Sequence, residues 1–113
     1  MSDDCIFCRI IAGKIPSTQV YADEHVYAFE DIHPVAKVHT LIVPRKHIGS
    51  VNDLNATDAQ LLSKIFQAAQ QIAKQKNIES TGYRVLTNTG PDAGQTVFHL
   101  HYHFLGGERL HPM

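Results

Sequence analysis

The chain lacks a strong excess of charge of either sign. Lysine and arginine number 10 and aspartate and glutamate 11, which gives a net charge of −1 with histidine neutral. Because no basic run is present to neutralise a row of phosphates, the sequence excludes a protein that binds nucleic acid through bulk electrostatics. Histidine, by contrast, is abundant, with 8 among 113 residues, and its charge changes near pH 6.

Long apolar runs and a basic, apolar leader are also missing. No stretch approaches the roughly 20 apolar residues that span a bilayer, and the start, Met1 to Asp4, is acidic rather than of the signal-peptide type. We therefore expect a cytoplasmic protein that does not associate with membranes. In that compartment Cys5 and Cys8 stay reduced unless they bind a metal or perform redox chemistry.

Repeats, low-complexity tracts and linkers are absent, so we expect one domain over 1–113. Periodicity and capping patterns predict a helix over 5–12 capped by Asp4, strands over 20–22, 25–30 and 38–43, a long helix starting in a capping box at Thr57 to Gln60, and strands over 83–88 and 97–105. Helices are too few for alternating βαβ units. The predicted fold class is therefore α+β, with a five-stranded antiparallel sheet packed against one long helix.

The last predicted strand carries histidine at alternate positions. Side chains on a strand alternate between its faces, so His99, His101 and His103 are predicted to share one face, while Tyr102 and its neighbours pack under the long helix. The alternative interpretation is that these histidines only form a polar face of the sheet and have no chemical role. A neutral imidazole is a good nucleophile toward phosphorus. The middle residue, His101, is therefore the candidate nucleophile, with His103 as its phosphate partner.

The loop before this strand can hold a phosphate. Gly94 allows close backbone approach, and backbone amides near the hydroxyl of Thr96 can form an anion-binding cradle. A further group must fix the tautomer of His101. His39 is one candidate, if its strand neighbours the histidine strand, and a backbone carbonyl is the other.

Cys5 and Cys8 have the spacing of metal ligands. Two small reduced core residues give the same pattern, and no strand precedes this helix as a thioredoxin-like redox motif requires. His47 and His99 can complete a tetrahedral Cys2His2 set for a structural Zn²⁺. Such a site ties the N-terminal helix to the sheet and removes His99 from acid–base chemistry.

Residues 97–105, in which histidine alternates with apolar residues, resemble the signature of the histidine triad superfamily. The resemblance covers nearly the whole chain, including residues 5–16, 29–32, 39–44 and 94–97. The Leu-Gly-Gly ending over 105–107 resembles the Hint branch of purine nucleoside phosphoramidases, whereas the dinucleotide-hydrolase branch has Pro-Arg there.

The resemblance implies a homodimer with a continuous ten-stranded sheet. It implies hydrolysis of purine nucleoside 5′-phosphoramidates, such as AMP or GMP joined to an amine, through a nucleotide bound to His101. It also supports the structural zinc, because some bacterial members carry Cys-x-x-Cys and a matching histidine; no organic cofactor is implied.

The resemblance also assigns roles by matching position. His39, His99, His103 and Thr96, which stands where serine is common, would complete the catalytic site around His101. Asp31 would bind the ribose hydroxyls, and four apolar residues would hold the base: Phe7, Ile10, Phe29 and Ile32. The phosphate and sugar would be surrounded by Asn88, Gly94, Gln95 and Thr96, together with His101 and His103.

Three other functions fit the residues. One is a dinucleoside polyphosphate hydrolase of the same superfamily, and another is a non-catalytic nucleotide-binding or scaffold module. The third is a hydrolase in which the alternating histidines bind a catalytic metal ion, although no acidic residue stands among them.

Overall fold

The structure, a computed structural model, describes residues 4–113; most of the acidic start discussed above lies outside them. Within these residues the chain forms helices α1 (Ile6–Ile11) and α2 (Ala59–Gln75), strands β1 (Gln19–Ala22), β2 (Val26–Glu30), β3 (Val38–Pro44), β4 (Tyr83–Leu86) and β5 (Tyr102–Gly106), and short 3-10 turns at Val51–Asp53, Ala56–Asp58 and Pro91–Ala93. None of the helices in this range is long and apolar enough to cross a membrane.

The strands form one antiparallel sheet in the order β1-β2-β3-β5-β4. The central strand β3 lies beside β5, with His39 opposite Leu105 and Leu41 opposite His103. His39 and His103 are therefore diagonal neighbours on two paired strands. The predicted five-stranded antiparallel sheet with one long helix is confirmed, and the pairing of β3 with β5 meets the condition on which a role for His39 depended.

Alternation along the strands gives the sheet two different faces. Helix α2 covers one face, where Ile65 and Ile72 are buried in one cluster with Ile42 and Phe104. The opposite face carries a second apolar cluster, to which α1 contributes; it consists of Phe7, Ile10, Tyr27, Phe29, Leu41 and Val43. His39 and His103 share the face of Leu41, so these two candidate site histidines lie on the side of α1.

The fifth strand is shorter than predicted, because β5 begins at Tyr102 rather than at residue 97. Residues 97–99 are bends, the N–H of Leu100 donates to the carbonyl of Ile48 (2.6 Å), and the ring of His99 is turned toward the cysteines of α1. Only His103 of the three histidines lies within the strand. The predicted start of this strand at residue 97 is therefore wrong. The three histidines nevertheless share one side of the chain, since Phe7 contacts His99 and His101 and His101 contacts His103, while Leu100, Tyr102 and Phe104 are buried under α2.

Both predicted helix caps are also wrong. Cys5, rather than Asp4, caps α1, since its Sγ accepts the N–H of Cys8 at 3.3 Å. The predicted box at Thr57 does not form, because the side chain of Asn55 accepts the N–H of Thr57 (2.9 Å) and caps a 3-10 turn ahead of α2. The side chain that caps this region is therefore Asn55, two residues before the predicted cap at Thr57.

Candidate functional site

His101 lies immediately before β5 and is 9% exposed. Its Nδ1 is 2.7 Å from the backbone carbonyl oxygen of His99. A carbonyl oxygen only accepts hydrogen bonds, so Nδ1 carries the proton and the lone pair is on Nε2. Of the two candidates for fixing this tautomer, the structure shows the backbone carbonyl and not His39.

A chain of hydrogen bonds, which we call the histidine relay, lies beside His101 and consists of Val35, His39 and His103 with Asp31. The backbone N–H of Val35 donates to Nδ1 of His39 (3.1 Å), so the proton of the His39 ring is on Nε2. That N–H donates to Nδ1 of His103 (2.9 Å) and is 3.3 Å from Oδ2 of Asp31. His103 therefore carries its proton on Nε2, with its ring centroid 5.2 Å from that of His101.

The relay requires neutral imidazoles, and the surroundings keep them neutral. Burial, followed by the neighbouring His101 and His39, lowers the pKa of His103 to about 4. Burial also lowers the pKa of His39, against the opposing effect of Asp31 and Glu30. Both rings are therefore uncharged near pH 7, each with one donor and one acceptor nitrogen.

Asp31, His39 and His103 also bring metal-ligand atoms within 4.8 Å of one another. Asp31 supplies the acid that the sequence lacked among the alternating histidines. The bond from Val35, however, places a proton on Nε2 of His39, and a protonated nitrogen does not ligate a metal. The geometry thus favours a hydrogen-bond relay over a catalytic metal ion.

Gln95 braces the loop before His99. Its Oε1 accepts the N–H of Gly90 (3.0 Å), and its Nε2 donates to the carbonyls of Gly49 (2.8 Å) and Val97 (3.1 Å). Both side-chain N–H groups are used within a buried side chain, so this side chain holds the loop in place. That Gln95 is one of the residues surrounding the phosphate and sugar stays a prediction.

The rest of this loop is open to a ligand. Gly94 has φ +84°, and a Cβ there would meet no atom within 4 Å, so this glycine meets a backbone requirement and leaves space beside it. Thr96 is exposed and Asn88 is partly buried. The predicted phosphate-side residues therefore lie at the accessible side of the loop.

Sequence reasoning missed two residues that hold the histidines. Thr87 donates its hydroxyl to the backbone carbonyl of His101 at 2.7 Å; a hydroxyl just after β4, beside β5, was the available signal. Val35 acts through its backbone N–H while its side chain is 76% exposed. No residue-type signal identifies it.

Three of the four apolar residues predicted around the base lie together. Phe7, Ile10 and Phe29 are buried in the cluster on the α1 side of the sheet. The ring of Phe7 packs edge-on against Phe29, with ring centroids 5.6 Å apart, and against His101 at 5.1 Å. Ile32 is 86% exposed, in the loop after β2, outside this cluster.

The metal cluster, formed by Cys5, Cys8, His47 and His99, lies between α1 and the sheet. Nδ1 of His99 is 3.3 Å from Sγ of Cys5 and 3.6 Å from Sγ of Cys8. Nδ1 of His47 is 3.3 Å from Sγ of Cys8 and 3.2 Å from Nδ1 of His99. Tetrahedral zinc places its ligand atoms roughly 3.3–3.8 Å apart, so these four residues can hold a metal ion.

The tautomer of His99 suits a ligand. Its Nε2 donates to the carbonyl oxygen of Pro44 at 2.8 Å, so its lone pair is on Nδ1 and faces the sulfurs. Burial lowers the pKa of this fully buried ring, which favours the neutral form that binds metals.

The fold agrees with comparisons to known proteins. A family model described as "Scavenger mRNA decapping enzyme C-term binding" matches residues 4–111. The chain is 45% identical over 113 residues to the purine nucleoside phosphoramidase of Escherichia coli (strain K12), covering 100% of this chain and 95% of that protein.

Two solved structures have nearly the same fold as this chain. A HIT family hydrolase from Clostridium thermocellum has a TM-score of 0.97 at 49% identity. A histidine triad protein from Clostridium difficile has a TM-score of 0.97 at 47% identity. Each match covers 100% of this chain and 98% of the other. The chain belongs to the histidine triad family.

Proposed function

We propose that this protein hydrolyses purine nucleoside 5′-phosphoramidates of the AMP–amine type through a nucleotide bound covalently to Nε2 of His101. The observation that carries the proposal is the 2.7 Å bond from Nδ1 of His101 to the carbonyl of His99. It leaves Nε2 with a lone pair, as nucleophilic attack on phosphorus requires. The identity to a relative named purine nucleoside phosphoramidase supports the substrate class.

The proposed reaction has two steps. In the first, a bond forms between Nε2 of His101 and phosphorus, the P–N bond breaks, and the amine leaves with a proton taken from solvent. In the second, a water oxygen bonds to phosphorus, the Nε2–P bond breaks, AMP leaves, and the attacking water releases one proton to solvent. Each turnover consumes one water and returns His101 to its starting tautomer.

Neighbouring groups are assigned to the phosphate. His103 has its proton on Nε2, as a consequence of the relay, and can donate it to a non-bridging phosphate oxygen. The hydroxyl of Thr96 can hydrogen-bond the leaving group or a phosphate oxygen, while Gly94 and Asn88 border the same space. His39 acts on the reaction only through His103.

The nucleoside is assigned to the side of α1. Phe7 and Phe29 form an apolar wall beside His101, with Ile10 in the same cluster and the exposed Ile32 free to cover the base. Asp31 stands at the ribose end, where its carboxylate can accept from the sugar hydroxyls.

The metal cluster is assigned to Zn²⁺. Its two thiolates and two imidazoles, Cys5, Cys8, His47 and His99, are a donor set that zinc prefers. Four protein ligands leave no open coordination position, so the chemistry supplied by the ion is structural. The site would join α1 to the segment that carries His99.

We also propose a homodimer with a ten-stranded sheet. β4 is an edge strand, and an unpaired edge invites pairing with a second copy. Tyr83 on β4 and Phe66 on α2 are exposed large hydrophobic side chains that such pairing can cover. Sedimentation should show a dimer for the wild type and a monomer for Phe66→Asp; a monomeric wild type contradicts the pairing.

The test of the function is a panel of adenosine and guanosine phosphoramidates alongside dinucleoside polyphosphates. We expect turnover of the phosphoramidates to fall about 10⁴-fold or more in His101→Asn and to be retained in His25→Asn, a matched control at an exposed turn. Rapid quenching and mass spectrometry should find AMP on His101.

Two other outcomes of this panel would favour the alternative functions. Faster turnover of dinucleoside polyphosphates indicates the related hydrolase instead. AMP binding without turnover or adduct indicates a non-catalytic nucleotide-binding module.

A further inference from the structure

His99 belongs to both functional clusters at once. Its imidazole Nδ1 faces the sulfurs of the metal cluster, while its backbone carbonyl accepts the Nδ1–H of His101. We propose that His99 is a positioning residue, through which an ion in the metal cluster holds His101 in the tautomer that attacks phosphorus. This rests on the proposed function for its kinetic consequence and deepens it by assigning the ion a role in catalysis.

The carbonyl of His99 can hold the His101 ring only if the backbone of His99 is itself held in a fixed position. The segment before it, residues 97–99, is a series of bends outside the sheet, and His101 itself precedes β5. One ring nitrogen of His99 is held by the carbonyl of Pro44. An ion on the other nitrogen fixes the ring at both ends, which restricts the side-chain torsions and thereby the attached peptide.

The metal cluster gathers three separate pieces of chain. Cys5 and Cys8 belong to α1 and its cap, His47 follows β3, and His99 precedes β5. A helix as short as α1, Ile6–Ile11, is not stable alone. Bonds from the ion would therefore fix this helix against the segment that ends at the nucleophile.

Phe7 provides a second connection along the same route. It lies between the two cysteines in sequence, and its ring is edge-on to His99, at 6.0 Å between centroids, and to His101, at 5.1 Å. Displacement of α1 would therefore move the wall against which the His101 ring packs. Both connections predict that loss of the ion loosens His101 without removing any group that touches substrate.

The metal cluster is accessible from solvent. A cleft of about 360 Å³ is lined by residues that include Cys5, His47 and Thr96, and His47 is exposed. A chelator would therefore approach the cluster from the same side as the candidate phosphate loop. We expect it to remove Zn²⁺ from the folded protein.

The experiment measures the ring tautomer of His101 directly. Protein with ¹⁵N-labelled histidine is prepared with Zn²⁺, stripped by a chelator, and reloaded, at one fixed pH. With Zn²⁺ we expect ring ¹⁵N shifts for a single Nδ1–H tautomer of His101. Without it we expect a mixture with the Nε2–H form, together with a roughly tenfold lower kcat and a smaller change in KM.

Two variants sharpen the result. His47→Asn, at the exposed ligand, should reproduce the zinc-free spectrum and kcat, whereas His25→Asn, an exposed histidine outside both clusters, should keep the zinc-loaded values. If His47→Asn does not fold, chelation and reloading of the wild type provide the same comparison. Recovery of the single tautomer on adding Zn²⁺ supports the coupling.

Several outcomes would overturn the inference. The first is an unchanged His101 spectrum and kcat in folded, zinc-free protein, since the ion would then only stabilise the fold. The second is a wild type that binds no zinc. A zinc-dependent tautomer in a protein that hydrolyses no phosphoramidate keeps the coupling and rejects the proposed function, so the two failures are distinguishable.

Discussion

The metal cluster and the histidine relay both depend on histidine side chains, but His99 and His39 are held in opposite protonation patterns. In the metal cluster, a backbone carbonyl at Pro44 accepts from the far nitrogen of His99, which leaves a lone pair facing the sulfurs. In the relay, a backbone N–H at Val35 donates to the far nitrogen of His39, which leaves a proton facing His103. The backbone group behind the ring therefore decides whether a histidine acts as a ligand or as a donor.

The same rule accounts for the protonation pattern of His101. A carbonyl stands behind its Nδ1, as a carbonyl stands behind Nε2 of His99, so its working nitrogen also has a lone pair. His101 thus has the protonation pattern of a metal ligand but lies next to a loop suited to phosphate. The groups around His101, rather than its tautomer, therefore favour the proposed role of nucleophile over that of metal ligand.

The largest effect should come from disrupting the metal cluster. Since an ion that binds only the folded state stabilises it by mass action, removing Zn²⁺ present at about 1,000 times its Kd lowers the free energy of unfolding by about 4 kcal/mol. Urea denaturation with and without chelator measures this difference. Cys8→Ser should unfold like the chelated wild type and show little further effect of chelator.

The relay provides the control for that prediction. His39→Gln leaves all four metal-cluster residues in place, so its zinc content and chelator sensitivity should match the wild type. Equal urea midpoints for loaded and chelated wild type contradict the assignment of the cluster to zinc.

The next effect should come from the backbone donor of the relay. Val35→Pro removes the N–H that fixes the His39 tautomer, while the side chain it replaces is mostly exposed. We expect kcat to fall about tenfold, because His103 would no longer be held with its donor toward the phosphate. Steady-state kinetics with a phosphoramidate measures the loss.

Val35→Ala is the matched variant, since it keeps the N–H. Its kcat should equal that of the wild type, and neither variant should lose zinc. A tenfold loss in Val35→Ala, or none in Val35→Pro with an intact fold, contradicts the relay.

The sequence was sufficient for the sheet and the metal cluster. Alternating hydrophobicity predicted the paired strands, and the Cys-x-x-Cys spacing with His47 and His99 predicted four residues that the structure brings together. Both depend on residue types and their spacing along the chain, which are visible in a sequence.

The relay was not predictable in the same way. Its starting donor is the backbone of Val35, and every residue except proline carries such a group. The start of β5 was not predictable either. Alternation continues back to His99, whose ring faces α1, but the chain pairs with the sheet only from Tyr102 onward. Contacts with α1 hold the segment before Tyr102, and no single-sequence pattern records those contacts.

The smallest effect should come from pH, acting through the relay. Burial and neighbouring histidines lower the pKa of His103 from 6.5 to about 4, so below pH 6.5 the unfolded chain binds a proton before the folded one does. The stabilisation from the neutral ring is therefore complete above about pH 6.5 and is lost as the pH falls toward 4. Partial solvent exposure of His103 keeps this contribution below that of the metal.

Urea denaturation from pH 7 to pH 4 of the wild type and His103→Asn isolates this contribution. Because metal binding itself depends on pH, both proteins are measured in zinc-free form, and only the difference between their free energies of unfolding is used. That difference should shrink as the pH falls through this range. A difference that stays constant means that His103 has its ordinary pKa in the folded protein and that the relay does not depend on a neutral ring.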